Sequence, residues 1–298
     1  MKDMQFIRPS CGRQILLHCA MGLLASQISW SPAFAGARNS AGPAASASAA
    51  EARSPYERAV LDLVIANRIL AHQGVVDAYG HVSMRHPSDP QIFLMARSRS
   101  PGLVEADDIM QFRLDGSVIG DDRRAAYIER HIHAAIYRER SEINAVVHAH
   151  ASEVLPFTVS SIALRPVIHS AGVVSENIPL WDIRDRFGDT NLLVSDEDQG
   201  GDLVQRMAGN NVVLMRGHGF AAAGVNLIEV LRVAVYLREN AKVLLEALKL
   251  GEVIYLSPGE LDAIRSIDPA SPALRRAWEF WATEAGVADL LQNEAANP

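Results

Sequence analysis

Val146-Val147-His148-Ala149-His150 is the stretch of sequence on which the fold and the chemistry both depend. Its apolar residues predict a buried strand over 145–150, and residues i and i+2 of a strand project from the same face. His148 and His150 therefore point the same way, which suits two imidazole ligands to one Zn²⁺, Co²⁺, Mn²⁺ or Fe²⁺. Taken alone, the pair has an equal alternative, two core or surface histidines satisfied by hydrogen bonds.

A third histidine follows another apolar run. Residues 211–215 predict a short strand that enters Arg216-Gly217-His218-Gly219, and a strand resumes over 220–223. Glycines on both sides of His218 allow a sharp turn and the close approach of a ligand. Three histidines leave a coordination position open, which is typical of catalytic rather than structural zinc sites.

Glu129 is the fourth candidate ligand and the candidate proton carrier. It lies in a helix predicted over 125–140 that leads into the histidine-containing strand, and His133 follows one turn later on the same face. A carboxylate can ligate a cation and can also carry a proton during turnover. The alternative role for Glu129 is a surface salt bridge with Arg130 or Arg138.

The remaining pattern alternates strands with helices. Ser54-Pro55 predicts a helix start, since serine caps a helix and proline suits its first turn. The predicted helices are 57–71, 125–140, 153–160 and 226–250, and the predicted strands are 81–86, 91–96, 109–114, 145–150, 211–215 and 220–223. No boundary or repeat interrupts 53–298, so we predict one layered α/β domain whose strand directions periodicity alone leaves open.

The first fifty residues differ in character from the rest. A positive start, an apolar stretch over 15–28 and the pattern Ala33-Phe34-Ala35 predict a secretory signal over 1–35 and a flexible linker over 36–52. The alternative is an upstream extension from a misassigned start codon. Cleavage would remove both cysteines, Cys11 and Cys19. We expect a periplasmic or secreted protein if the signal is used, and a cytoplasmic one otherwise.

Composition narrows the range of partners. The chain has 298 residues, of which 49% are hydrophobic, and a formal net charge of −7. Nucleic acids and acidic membranes bind clustered lysines and arginines, so this charge argues against both. A small anionic substrate is compatible with it, since a site needs only a few local arginines. After signal removal we expect no membrane association.

Four motifs in order make the chain similar to the class II aldolase/adducin family. They are Gly80-His81-Val82-Ser83-Met84-Arg85, Glu129 eight residues before Tyr137, Val147-His148-Ala149-His150 and Arg216-Gly217-His218-Gly219. The resemblance implies a single three-layer α/β/α domain with a central, largely antiparallel or mixed sheet, and homo-oligomers that are commonly tetramers. It also implies one divalent cation per subunit, expected to be Zn²⁺ with Mn²⁺, Co²⁺, Fe²⁺ or Mg²⁺ as alternatives, bound by Glu129, His148, His150 and His218.

Departures from the sugar-phosphate aldolases of that family point to another branch. His81 and the pair Tyr127-Ile128 stand where those enzymes carry phosphate-binding Asn and Ser-Ser residues. The loop Arg97-Ser98-Arg99-Ser100-Pro101-Gly102 offers arginines that suit carboxylates. With Arg165 and His169, these features resemble the decarboxylase branch, which includes enzymes acting on hydroxy-carboxy-muconic semialdehydes and on dihydroxyphthalates.

The resemblance implies a metal-dependent carbon–carbon lyase. We expect it to decarboxylate a hydroxy or keto dicarboxylic acid from aromatic catabolism through a metal-stabilised enolate, with Glu129 as proton carrier and His81 or Tyr137 as assistants. The residues expected to bind substrate are Arg85, Arg99, Ser100 and Gly102. The alternatives are a class II aldolase that releases an aldehyde or ketone, an epimerase, and a non-catalytic adducin-like scaffold. The scaffold alternative predicts that the metal-ligand positions have been lost, whereas all four are present here.

Overall fold

One seven-stranded sheet lies at the centre of the computed structural model, which describes residues 53–267 and 271–291. Its strands are β1 (His81–His86), β2 (Asp89–Ala96), β3 (Ile109–Arg113), β4 (Ala145–Ala149), β5 (Leu180–Trp181), β6 (Val212–Met215) and β7 (Gly219–Gly224). They lie in the order β3-β2-β1-β4-β7-β6-β5, and all neighbours are antiparallel except β5 and β6. The predicted α/β class with a largely antiparallel or mixed sheet is confirmed.

Helices cover both faces of this sheet. They are α1 (Pro55–His72), α2 (Arg130–Glu139), α3 (Leu155–Thr158), α4 (Arg184–Phe187), α5 (Glu197–Met207), α6 (Leu227–Leu250), α7 (Pro258–Arg265), α8 (Pro272–Glu284) and α9 (Ala288–Leu291). One core joins α1 and α6 to one face of the sheet, and a second core joins α2 and α5 to the other face. Two cores separated by one sheet make the three-layer α/β/α arrangement.

The alternation of side chains along β4 assigns its residues to these two cores. Ala145, Val147 and Ala149 belong to the core of α1 and α6, whereas Val146 belongs to the core of α2 and α5. His148 shares the face of Val146, because side chains two residues apart on a strand project together. Every residue of β4 is buried, which explains its nearly unbroken apolar sequence.

Helix α2 begins later than the predicted start at residue 125. The residues before it bond to another segment, since the Ala125 carbonyl oxygen accepts the Ser98 N–H and the Tyr127 hydroxyl donates to the Arg99 carbonyl oxygen. These contacts compete with the first turn of a helix. The shorter helix leaves Glu129 at its N-cap position.

The helix predicted over 153–160 is the single turn α3. The Thr158 hydroxyl donates to the Leu155 carbonyl oxygen at 2.8 Å and accepts the Gly217 N–H at 3.1 Å. Thr158 therefore connects this turn to the turn that carries His218, and that long-range bond is invisible to helical periodicity.

The predicted signal peptide and linker, 1–52, lie outside the described residues. No helix within 53–267 or 271–291 is both long enough and apolar enough to cross a membrane.

Helix α5 packs closely against α2 through Gly200. A Cβ added at Gly200 would lie 2.6 Å from the His131 carbonyl oxygen and 3.0 Å from the Ala135 Cβ. A Cβ added at Gly201 would find its nearest neighbour, the Arg138 Nη2, at 3.9 Å. The two adjacent glycines therefore differ in the space around them.

We expect Gly200→Ala to lower the free energy of unfolding by about 1–3 kcal/mol, because it overpacks the contact between α2 and α5. The matched change Gly201→Ala should leave that free energy unchanged or raise it by up to about 1 kcal/mol, since alanine favours a helix over glycine. Urea unfolding followed by circular dichroism measures both. Equal effects of the two changes would contradict the close contact at Gly200.

Candidate metal centre

A row of polar side chains on α2 faces a matching row on β1. Glu129, His133 and Tyr137 are four residues apart, a step of about 6 Å along a helix. His81 and Ser83 are two residues apart on β1, a step of about 6.6 Å along a strand. Because the steps are nearly equal, the two rows stay in register, and His81 and Ser83 interleave with His133 and Tyr137.

Strand pairing brings histidines of β1 and β4 side by side. His81 pairs with His148 in the β1–β4 ladder, and Ala221 of β7 pairs with His148 on its other side. The His148 side chain is fully buried, and its Nδ1 donates to the Phe220 carbonyl oxygen at 3.0 Å. A neutral imidazole whose Nδ1 carries the hydrogen presents a lone pair at Nε2.

His218 approaches from the turn between β6 and β7. Gly217 has a φ of +63°, the left-handed region that favours glycine. A Cβ added at Gly219 would collide with the Ala149 carbonyl oxygen, so this position also requires glycine. The His218 Nδ1 donates to the Leu192 carbonyl oxygen at 2.8 Å, which leaves the lone pair of the neutral ring at Nε2.

Four potential ligand atoms converge at the end of β4. The His150 Nε2 lies 2.9 Å from the His148 Nε2 and 3.0 Å from the His218 Nε2. The Glu129 Oε2 lies 3.3 Å from the His148 Nε2 and 3.5 Å from the His218 Nε2. All four atoms lie within 4.8 Å of one another. Ligand atoms at Zn²⁺ distances from one tetrahedral centre are about 3.3 Å apart, so the spacing fits one such ion.

The hydrogen bonds available in this group leave lone pairs facing one another. When the His148 and His218 rings are neutral, as metal ligands must be, their Nε2 atoms carry no hydrogen, and the His150 Nε2 carries at most one. Burial, and then the neighbouring imidazoles, lower the pKa of His150 to about 3, so this ring is neutral near pH 7. One hydrogen cannot satisfy two flanking lone pairs, whereas one cation can.

The carboxylate adds the negative charge that a cation site needs. Burial disfavours ionisation of Glu129, but the adjacent His148 and His218 hold the pKa of this carboxyl well below its usual range. Burial acts to lower the pKa of His218, and the hydrogen bond and charge of Glu129 raise it above its ordinary value. Three imidazoles and a carboxylate fit Zn²⁺ and related divalent ions, and binding of such an ion would compete with protonation of His218.

A cavity of about 530 Å³ lies beside the ligand group. Its wall is formed by Ala78, Tyr79, Gly80, His81, Ser98, Arg99, Ser100, Ala126, Tyr127, Ile128, Glu129, His150 and Leu193. Among the residues predicted to bind substrate, Arg99 and Ser100 line this cavity, whereas Arg85 and Gly102 do not. The Arg99 Nη1 lies 2.6 Å from the Asp108 Oδ2, so its position is fixed by an ion pair at the cavity wall.

Arg85 is buried away from this cavity. Its Nε donates to the Ile143 carbonyl oxygen at 3.1 Å and its Nη2 to the Tyr137 carbonyl oxygen at 3.0 Å. The guanidinium also lies over the Tyr137 ring, 4.9 Å from its centroid. The structure therefore gives Arg85 a role in joining β1 to α2, in place of the predicted contact with substrate. Gly102 lies in a 3₁₀ turn, where an added Cβ would lie 3.5 Å from the Ala71 Cβ of α1.

Tyr137 does not contact His81 directly but is connected to it by hydrogen bonds through Ser83 and His133. The Ser83 Oγ lies 2.8 Å from the Tyr137 hydroxyl and 2.6 Å from the His133 Nδ1, and the His133 Nε2 lies 2.8 Å from the His81 Nδ1. Burial lowers the pKa of His133 to about 3 and raises that of Tyr137, so both are neutral. Tyr137 orients His81 indirectly through this chain and, contrary to the prediction of a direct assistant, does not line the cavity.

Several residues that contact the site were not predicted from the sequence. Ser83 could have been found, because it shares a strand face with His81 at a spacing of two. The Val194 N–H donates to the Glu129 Oε1 at 3.2 Å, and like the Leu192 carbonyl it is a backbone group that carries no sequence signal. Tyr127 is also in contact, its ring centroid 4.6 Å from that of His81.

We expect Tyr137→Phe to lower the free energy of unfolding by about 1 kcal/mol, because it removes a buried hydrogen bond to Ser83. Binding of divalent metal should persist, since Tyr137 is not a ligand. Tyr236→Phe is the control, because the Tyr236 hydroxyl has no hydrogen bond to any residue in the described ranges. Urea unfolding and metal analysis of both variants provide the test, and loss of metal from Tyr137→Phe would contradict this assignment.

The fold and the position of this site define a class of protein, the α/β/α aldolase-type domains. A crystal structure of an aldolase II superfamily protein from Pseudomonas syringae superposes with a TM-score of 0.67 at 18% identity, covering 80% of this chain and 96% of that one. At this identity the likeness concerns the fold alone.

Residues 61–245 match the family described as class II aldolase and adducin N-terminal domain, and the chain belongs to this family. It is 33% identical over 251 residues to the decarboxylase tropJ of Talaromyces stipitatus, covering 76% of this chain and 94% of that protein. It is 28% identical over 176 residues to a 3,4-dihydroxyphthalate decarboxylase of Arthrobacter keyseri, covering 54% of this chain and 67% of that protein. The predicted resemblance to the decarboxylase branch is confirmed.

Proposed function

We propose that this protein is a divalent-metal-dependent carbon–carbon lyase that decarboxylates a hydroxy or keto dicarboxylic acid of the kind formed in aromatic catabolism. The observation that carries the proposal is the convergence of the Glu129 carboxylate and three imidazole nitrogens beside a cavity of about 530 Å³, whose wall includes Glu129 and His150. The similarity to decarboxylases supports loss of CO₂ as the reaction. Zn²⁺ suits the nitrogen-rich donor set, and Mn²⁺, Co²⁺, Fe²⁺ or Mg²⁺ are the alternatives.

Loss of CO₂ breaks one carbon–carbon bond and leaves its electron pair on the substrate. That pair must be delocalised into an adjacent carbonyl group, which thereby becomes negatively charged. A divalent cation held by the four ligand residues supplies Lewis acidity, which stabilises such a charge by several kcal/mol. The reaction is completed when one proton is delivered to the carbon that lost CO₂.

Glu129 is the proposed proton carrier for that last step. Its carboxylate lines the cavity, is ionised in the resting site, and has one oxygen held by the Val194 N–H. An ionised carboxylate first accepts a proton from a substrate hydroxyl or from water and then returns it to carbon. His81 also lines the cavity and is oriented by His133, so its neutral ring can hold the substrate through a hydrogen bond.

Arg99 and Ser100 are the proposed contacts for a small anionic substrate. Within the described ranges, the hydrogen bond that the Arg99 guanidinium donates is from Nη1 to the Asp108 Oδ2. The other guanidinium nitrogens can therefore face a carboxylate, which arginine binds well. We also propose a homo-oligomer, commonly a tetramer in this family, because the apolar side chains of Tyr79 and Ile128 are more than half exposed beside the cavity.

We expect the purified protein to contain about one divalent ion per subunit and to lose activity on treatment with a chelator, with recovery when divalent ions are restored. His150→Ala should weaken metal binding by more than about 100-fold, because it removes the central ligand rather than an outer partner. Added metal should then raise the melting temperature of the wild type but not of His150→Ala. His169→Ala, a change at an exposed histidine, is the control and should behave as wild type.

The identity of the leaving fragment is tested by product analysis. With β-keto and aromatic dihydroxy dicarboxylic acids we expect release of CO₂, and Glu129→Gln should lower that rate by about 10²–10⁴-fold because the proton carrier is lost. Metal content of Glu129→Gln is measured in parallel to separate proton transfer from metal binding. Release of an aldehyde without CO₂ would favour the aldolase alternative, and unchanged activity of Glu129→Gln would refute its assigned role.

A further inference from the structure

The segment between α4 and α5 contacts two of the four ligand residues through its backbone. The Leu192 carbonyl oxygen accepts the His218 Nδ1 hydrogen at 2.8 Å, and the Val194 N–H donates to the Glu129 Oε1 at 3.2 Å. The two contacts are two residues apart in the chain. The backbone geometry of this short segment therefore acts on both ligands at once.

Leu192 occupies an unusual backbone conformation. Its φ is +68°, in the left-handed region that a leucine rarely adopts. The Leu192 N–H donates to the Thr190 hydroxyl at 3.0 Å, and the Leu193 N–H donates to the Asn191 side-chain oxygen at 3.1 Å. The side chain of Leu192 packs into the core of α2 and α5. Strain of this kind persists where the surroundings hold it, and it is concentrated at functional sites.

The position of His218 explains why its orienting carbonyl comes from Leu192, a residue with an unusual backbone conformation. His148 lies inside β4 and finds its orienting carbonyl, that of Phe220, in the regular ladder of β7. His218 precedes β7 and lies in a turn, so no strand neighbour supplies a carbonyl to its Nδ1. At an ordinary negative φ, the Leu192 carbonyl would point elsewhere and Val194 would be displaced.

We propose that Leu192 is a positioning residue whose left-handed backbone conformation orients His218 and Glu129 for metal binding. This inference rests on the proposed metal site and extends it to a residue that touches no ion. The conformation, rather than the leucine side chain, is the determinant. Glycine and asparagine accept this conformation, whereas isoleucine has the atoms of leucine but a branched Cβ that opposes it.

The test is Co²⁺ binding to the full chain after removal of metal with a chelator. The affinity is measured by competition, and the visible absorption of bound Co²⁺ reports the ligand geometry. Leu192→Gly and Leu192→Asn should bind Co²⁺ within about threefold of wild type, since both residues tolerate a positive φ. Leu192→Ile should bind about 10–100-fold more weakly with an altered spectrum, the range typical for loss of a partner that orients a ligand.

Leu114→Ile is the matched control, because Leu114 packs against the same core without a positive φ. It should bind Co²⁺ as the wild type does. Wild-type affinity and spectrum in folded Leu192→Ile would overturn the proposal. If Leu192→Ile does not fold, Leu192→Asn decides: retained affinity supports the proposal, and a tenfold loss in the folded variant overturns it. Failure of the wild type to bind Co²⁺ would instead refute the metal site itself.

Discussion

His148 donates its Nδ1 hydrogen to the carbonyl oxygen of Phe220 on the neighbouring strand, in a part of the sheet that water does not reach. This bond determines that the lone pair of the neutral ring is at Nε2. Because the side chain is fully buried, that lone pair has no solvent partner, and leaving it unsatisfied is costly. The ligand atoms of Glu129, His150 and His218 lie around the His148 Nε2, where a cation bound by all four would also satisfy this lone pair.

The four ligands are held in two different ways. His148 lies within β4, where ladder bonds and the Phe220 carbonyl orient it, and His150 directly follows the strand at the alternating position on the same face. His218 and Glu129 lie where regular structure ends, one in a turn between strands and one at a helix N-cap. Their orientation depends on two backbone groups of the loop between α4 and α5, the Leu192 carbonyl and the Val194 N–H. In this loop the strained conformation of Leu192 directs its carbonyl towards His218.

The cavity combines charged and apolar walls in a way that favours electrostatic catalysis. Glu129 and Arg99 supply charge, while the Tyr127 ring packs against His81 and covers part of the wall. Charge interactions are stronger where water is excluded, so a developing negative charge on a substrate is stabilised more there than in solution. Behind the cavity, a series of hydrogen bonds between neutral side chains runs from His81 to Tyr137. It fixes the orientation of His81 without adding charge.

Local alternation and residue type were enough to predict the α/β class, most strand positions and the four candidate ligands. Alternation indicates the strands, and histidine and glutamate are metal-binding side chains wherever they occur. These local signals did not predict that Arg85 and Tyr137 face away from the cavity, since the side chain of each meets partners far along the chain. Nor did they predict the true start of α2 or the contacts of Leu192 and Val194. Backbone carbonyls and amides are the same in every residue, so only the folded arrangement determines which of them orients a ligand.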